Sequence, residues 1–317
     1  MGYLYALVGA ALFGLNGSVT KVVVTSGITA AQLTFFRAFA IMAISGLWLL
    51  FANRSAFRIS GKQLGVMALL GVVGVALMQW SYSMAVSILP VGIALLIEYL
   101  SVLFVALVAR FVFKESVRSR VWIAVVLVIA GMVFVGKVWA STLDPTGVFY
   151  AFIAAFTLTL YFIIGERQVT ATSPLAVAFW SMLFAWLFWA LFSGWWTIDP
   201  ALLSSSVSLD GVLSDVQAPI WILVIWIGIV GSFIPFLLSF LALKHLPVTA
   251  AGIASSSEVL FAFLVAFIWL GEGLDLVQFL GAALVFAGIL LAQTARPDGV
   301  ADADGISSRM ARNEQLP

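Results

Sequence analysis

The sequence predicts an all-α polytopic membrane protein with ten transmembrane helices arranged as two inverted five-helix repeats. Composition, the spacing of apolar stretches and an internal self-match predict it. The chain has 317 residues, 63% hydrophobic and 9% charged, against about 25% charged in ordinary soluble domains. Too few polar residues remain to cover a soluble surface, so the partner of that surface is a lipid bilayer. A net charge of +1 gives no reason to expect a nucleic-acid partner. Cysteine is absent, which excludes disulfides, thiolate metal sites and cysteine nucleophiles. His245 is the single histidine, too few for a histidine metal cluster, and no GxxxxGK[ST] run is present for nucleotide binding. No cofactor or metal is therefore expected.

A spanning helix needs about 20 predominantly apolar residues. Ten stretches qualify, at 3–24, 32–51, 64–85, 91–113, 121–139, 147–168, 174–194, 220–242, 248–269 and 276–294. The first, beginning MGYLYALVGA, lacks a basic leader and reads as a retained helix. Most links are short; the longer ones are Asn53–Gln63 and Trp195–Pro219. The tail 295–317 is polar and is expected to be disordered and cytoplasmic.

Orientation follows from basic residues in the short loops. Arg54, Arg58 and Lys62 follow the second stretch, and Lys114, Arg118 and Arg120 follow the fourth. Arg167 lies at the end of the sixth, and Lys244 and Arg296 follow the eighth and tenth. With ten spans these all fall on one side. The other side has Lys21, Arg37 and Lys137 near helix ends, and a long loop with Asp199, Asp210 and Asp215 and no base. Both termini are expected in the cytoplasm, in a bacterial-type inner membrane. Lys21 and Arg37 are expected to snorkel from outer helix ends.

The chain repeats itself. Placing Pro90 on Pro247 aligns PVGIALLIEYLSVLFVALVARFVFKE with PVTAAGIASSSEVLFAFLVAFIWLGE without a gap, identical at ten of 26 positions and ending with Glu115 on Glu272. Those two glutamates are expected to pair with nearby bases or lie at the interface. Gly131 falls on Gly288 at the same offset; Gly2 and Tyr5 fall on Gly147 and Tyr150 at a shorter one. The expected units are residues 1–140 and 147–294. Five spans per unit is odd, so the second enters the membrane from the opposite side. Such inverted pairs suit a carrier that exchanges inward and outward shapes around a midplane site.

The FGLNG of residues 13–17, the RAF of residues 37–39 and the two matched segments resemble the drug/metabolite transporter superfamily, within it the ten-helix EamA-type carriers. The resemblance covers roughly residues 3–294. It implies export or exchange of metabolites across the cytoplasmic membrane, from a central cavity lined by both halves. Length and aromatic content are similar to those of aromatic amino-acid exporters, which makes amino acids the expected substrate.

An ionisable residue at membrane depth is a functional candidate by default. Glu98 and Glu258 are two such carboxylates. Each is either a cation or proton site facing a cavity, with proton coupling as a consequence, or a protonated glutamate bonded to a neighbouring helix. Gln79, Tyr82, Tyr99, Tyr161 and Trp180 supply aromatic and polar surface for a small-molecule substrate, the alternative being interfacial anchoring. Asn16 and Ser256 are candidates to contact the solute or to bridge helices. Membrane enzymes, channels and carriers of nucleosides, sugars or amines are the competing readings. No HExxH or DxD accompanies the glutamates, and no filter segment is visible.

Overall fold

The computed structural model describes residues 1–112, 119–135, 143–243, 245 and 254–294. The chain forms an all-α membrane bundle. The helices are α1 (Gly2–Thr25), α2 (Ala30–Ala52), α3 (Gly61–Ile88), α4 (Val91–Glu98 continued by Ser101–Phe111), α5 (Ser119–Val135) and α6 (Pro145–Ala171). They continue with α7 (Pro174–Phe192), α8 (Ile220–Gly228, Ile229–Phe233 and Ile234–Leu243), α9 (Ser257–Val265 and Ala266–Leu270) and α10 (Leu276–Thr294). Among the described residues, six helices are long and apolar enough to cross a bilayer; Val91–Val105, Ser119–Val135, Ser257–Leu270 and Leu276–Leu291 are shorter apolar helices. Lys114, Glu115, Arg118, Lys137, Lys244, Pro247, Arg296 and the expected disordered tail lie outside the described residues.

Short polar signals start the helices. Thr29 and Gln32 form a reciprocal capping box on α2, and Ser60 and Ser173 accept from the N–H groups of Gln63 and Ala176 on α3 and α7. Asp144 caps α6, and the N–H groups of Thr146 and Gly147 hold its carboxyl below the usual carboxylate range.

The packing respects an exchange of halves. Helices α2 and α7 pack together, as do α5 and α10, and α4 and α9. The contacts of α1 with α8 and α9 are matched by those of α6 with α3 and α4. Polarity is inverted relative to a soluble protein. Val126, Ile129, Phe279 and Leu280 face outward, while Asn16, Gln79, Glu98, Thr157, Thr159 and Ser232 are buried. Lipid rewards that distribution and water would not.

The long link before α8, expected as a plain loop, contains a helical turn (Pro200–Ser204) and two antiparallel strands, β1 (Ser206–Ser208) and β2 (Gln217–Pro219). These strands are three residues each, too short to show an alternating pattern in sequence. Helix α4, expected as continuous, is broken.

Candidate functional site

The break in α4 falls at Tyr99 and Leu100. The N–H groups of Leu100, Val102 and Leu103 reach only three residues back, to Ile97, Tyr99 and Leu100. A turn at Ser256 likewise separates α9 from helical Ala254 and Ser255 before it, and Val259 N–H reaches Ser256 O at 3.2 Å. The repeat offset is 247 − 90 = 157, which places Tyr99 on Ser256. Both halves therefore break the same helix at the same point. Glu98 ends the first segment of α4, and Glu258 lies two residues past the break in α9.

The partner helices are irregular at matching positions too. Widened π turns occupy Leu70–Ala76 in α3 and Ile229–Phe233 in α8. Subtracting 157 from 229 and 233 gives 72 and 76, inside the α3 segment. In α8 the wider turn precedes Pro235, whose missing N–H cannot continue the ordinary ladder.

One turn of α1 joins these irregular helices. A methyl group on Gly14 would lie 2.8 Å from Ala262 N and 3.0 Å from Glu258 O. A methyl group on Gly17 would lie 2.6 Å from the Tyr82 hydroxyl. Between them, the Asn16 carboxamide packs directly on Gly231. Residues 14–17 thus touch α9, α3 and α8 at one level, and only hydrogen in place of a side chain permits that approach at Gly14 and Gly17.

The Tyr99 hydroxyl donates to Glu258 Oε2 at 2.6 Å, linking the halves. Glu98 is buried at 7% exposure and, among the described residues, takes no hydrogen bond. Tyr82 is buried on α3, one turn beyond buried Gln79. The side-chain oxygens of Asn16, Gln79 and Ser101 are buried without a hydrogen-bond partner, and Ser256 is fully buried.

Arg37 departs from its expected snorkelling position. Its half-buried guanidinium turns inward, and Nε donates to Ser232 Oγ at 2.6 Å in the π turn of α8. Its charge acts on Tyr82, Glu98 and Glu258, yet it forms no ion pair among the described residues. Arg37 and Ser232 are the functional candidates that sequence reasoning missed. A signal existed: Arg37 is the eighth residue of α2, about 10 Å along the helix.

Tyr161 and Trp180 sit elsewhere. Both pack in a cluster with Met67, Leu70 and Val177. Trp180 Nε1 donates to Ala56 O at 3.1 Å, fastening α7 to the link between α2 and α3. Tyr82, Glu98, Tyr99 and Glu258 lie within electrostatic reach of one another instead. Asn16 lies in the α1 turn whose Gly14 and Gly17 pack on Glu258 and Tyr82, and Gln79 and Ser256 are near in sequence to Tyr82 and Glu258. A cavity of about 510 Å³ on another side of α4 is lined by Ile97, Leu100, Phe104 and other apolar side chains. It offers no polar group to a solute.

At the bundle end opposite the amino terminus, Lys21 also turns inward. Lys21 Nζ meets Glu272 Oε1 at 2.5 Å and Leu89 O at 3.1 Å, and Glu272 Oε2 accepts from Val91 N–H at 2.8 Å. Gly271, in the left-handed conformation at φ 69°, ends α9 and releases the chain at Glu272. His245 is exposed, with its ring 5.8 Å from that of Tyr5.

Comparison with known proteins places this geometry in a family. An "Uncharacterized transporter" of Archaeoglobus fulgidus is 25% identical over 212 residues, covering 67% of this chain and 70% of that protein. The "Threonine/homoserine exporter RhtA" of Escherichia coli is 27% identical over 212 residues, 66% of this chain and 65% of the exporter, just under two thirds of its length. The "Uncharacterized transporter YdfC" of Bacillus subtilis is 20% identical over 268 residues, 83% of this chain and 81% of that protein. A solved crystal structure with 18% identity superposes with a TM-score of 0.58 over 91% of this chain and 96% of its own, sharing the fold. The profile of the EamA-like transporter family matches residues 1–137 and again 145–294, so the chain belongs to that family of polytopic membrane transporters.

Proposed function

We propose that this transporter exports or exchanges an amino acid by alternating access at the cluster between its halves. The observation that carries the reading is the bond from Tyr99 to Glu258 beside paired helix breaks. Broken helices at a repeat interface are where secondary transporters place their solutes. A carboxylate at membrane depth costs several kcal/mol unless water, a partner or a cationic group offsets it. An ammonium group meets that need at Glu98 and Glu258, and a proton meets it when no solute is bound, which couples the two. The named exporter among the relatives supports the amino-acid class. It gives no support to an aromatic preference, for which Tyr82 and Tyr99 remain the reason to test.

In this reading the chain lies in the cytoplasmic membrane with both termini inside. The basic residues Arg54, Arg58, Lys62 and Arg167 at one set of helix ends and links, against Asp199, Asp210 and Asp215 of the long link at the other, support that orientation. The test is counterflow in proteoliposomes loaded with threonine, homoserine, phenylalanine, a nucleoside, a sugar or an amine. Saturable counterflow of an amino acid is expected. Non-saturable flux, or counterflow confined to the other solutes, overturns the proposal.

A further inference from the structure

The unused charge in the cluster is Arg37. A guanidinium presents five N–H donors in a planar fork, and that fork matches the two oxygens of a carboxylate. Here Nε is committed to Ser232 Oγ, which fixes the plane of the group. The two terminal nitrogens make no hydrogen bond or ion pair among the described residues. That is an unusual state for a cation at membrane depth, where partners are the rule.

The carboxylates near it do not fill the role. Glu258 is held by Tyr99 from the other half. Glu98 takes no hydrogen bond among the described residues. Cation and carboxylates act on one another's charge without touching. The same turn of α1 places both ends of the arrangement: Gly14 abuts Glu258, while Asn16 abuts Gly231, the neighbour of Ser232. Arg37, through Ser232 and its neighbour Gly231, and Glu258 therefore reach the same turn of α1 with no ion pair between them.

We infer that Arg37 is the carboxylate anchor of the solute site, so that the site reads a zwitterion: carboxylate on Arg37 and ammonium on Glu98 and Glu258. Asn16, whose buried carbonyl oxygen packs on Gly231 without a hydrogen-bond partner, is the further acceptor available to the same ammonium. Ser232 is a positioning residue that orients the guanidinium. This rests on the proposed amino-acid transport and adds to it the means of telling an amino acid from an amine.

The experiment is counterflow with threonine and phenylalanine against their carboxyl-free counterparts, aminopropanol and phenethylamine. Charge-assisted hydrogen bonds to a carboxylate predict that the wild-type protein prefers an amino acid over its amine by about ten- to hundredfold. R37Q should bring that preference to within about threefold by removing the fork, and R37K should restore part of it through a point charge. S232A should weaken the preference less than R37Q does. Should R37Q fail to fold, the wild-type preference and the S232A variant carry the test. Wild-type counterflow of the amines equal to that of the amino acids overturns the anchor while leaving transport intact. An R37Q protein that keeps the full preference overturns it as well. Absence of counterflow with every solute of both series overturns the proposed transport, and the anchor with it.

Discussion

Lys21 and Glu272 form an ion pair between α1 and the end of α9, and the second oxygen of Glu272 accepts from the first N–H of α4. The N-cap of α4 is Pro90, which has no side chain able to cap, so the acceptor comes from the other half. Three segments are thereby tied at the end of the bundle away from the amino terminus. Replacing Glu272 by Gln removes the charge from a largely buried pair, a loss of about 1–3 kcal/mol. That is enough to raise the population of a state open at this end by about five- to 150-fold. In the cysteine-free chain, Ser18→Cys on α1 reports it: a water-soluble thiol reagent should label Ser18→Cys faster in the Glu272→Gln background. Equal labelling rates in both backgrounds would falsify a gating role for the pair.

Glu98 is the buried carboxylate that takes no hydrogen bond among the described residues. Glu98→Gln keeps its shape and removes its charge. The variant should fold, because nothing in the described structure is held by that carboxylate. Its transport should fall by at least about tenfold, the scale of one charged hydrogen bond, and should lose its dependence on a pH gradient. Thermal unfolding in detergent and counterflow at several pH values separate the two effects. Unchanged transport with a lowered melting temperature would assign Glu98 to packing.

Far from the cluster, Gly131 of α5 and Gly281 of α10 press their backbones together. A methyl group on Gly131 would lie 2.6 Å from Gly281 O and 2.8 Å from Val285 N. Gly131→Ala should therefore cost about 1–3 kcal/mol by overpacking. The expected outcome is a lower melting temperature with an unchanged ratio of amino-acid to amine transport. A melting temperature equal to wild type would show that the helices separate at no cost.

Topology is open to a direct check. A reporter fused after residue 294 should be read on the cytoplasmic side, and one inserted near Asp210, in the exposed turn between β1 and β2, on the outer side. Both reporters on one side would contradict the count of ten spans.

The sequence by itself determined the solvent, the helix count and the repeat. These are properties of stretches: apolar runs of about 20 residues, basic links, and a 26-residue self-match from Pro90 to Glu115. It also marked Glu98 and Glu258, because an isolated charge in an apolar run is visible without coordinates. It did not separate Tyr82 and Tyr99 from Tyr161 and Trp180, since an aromatic ring in a helix has the same local signature facing a carboxylate or a link. Only the tertiary structure decided that Trp180 is tied to Ala56 and that Tyr99 meets Glu258, 159 residues away. Arg37 shows the reason most plainly. A cation near a helix end reads as snorkelling, and its inward turn depends on Ser232, 195 residues later in the chain, arriving beside it on α8. The breaks at Tyr99 and Ser256 were hidden for the same reason: these runs are apolar enough to be continuous helices, and only the folded bundle interrupts them.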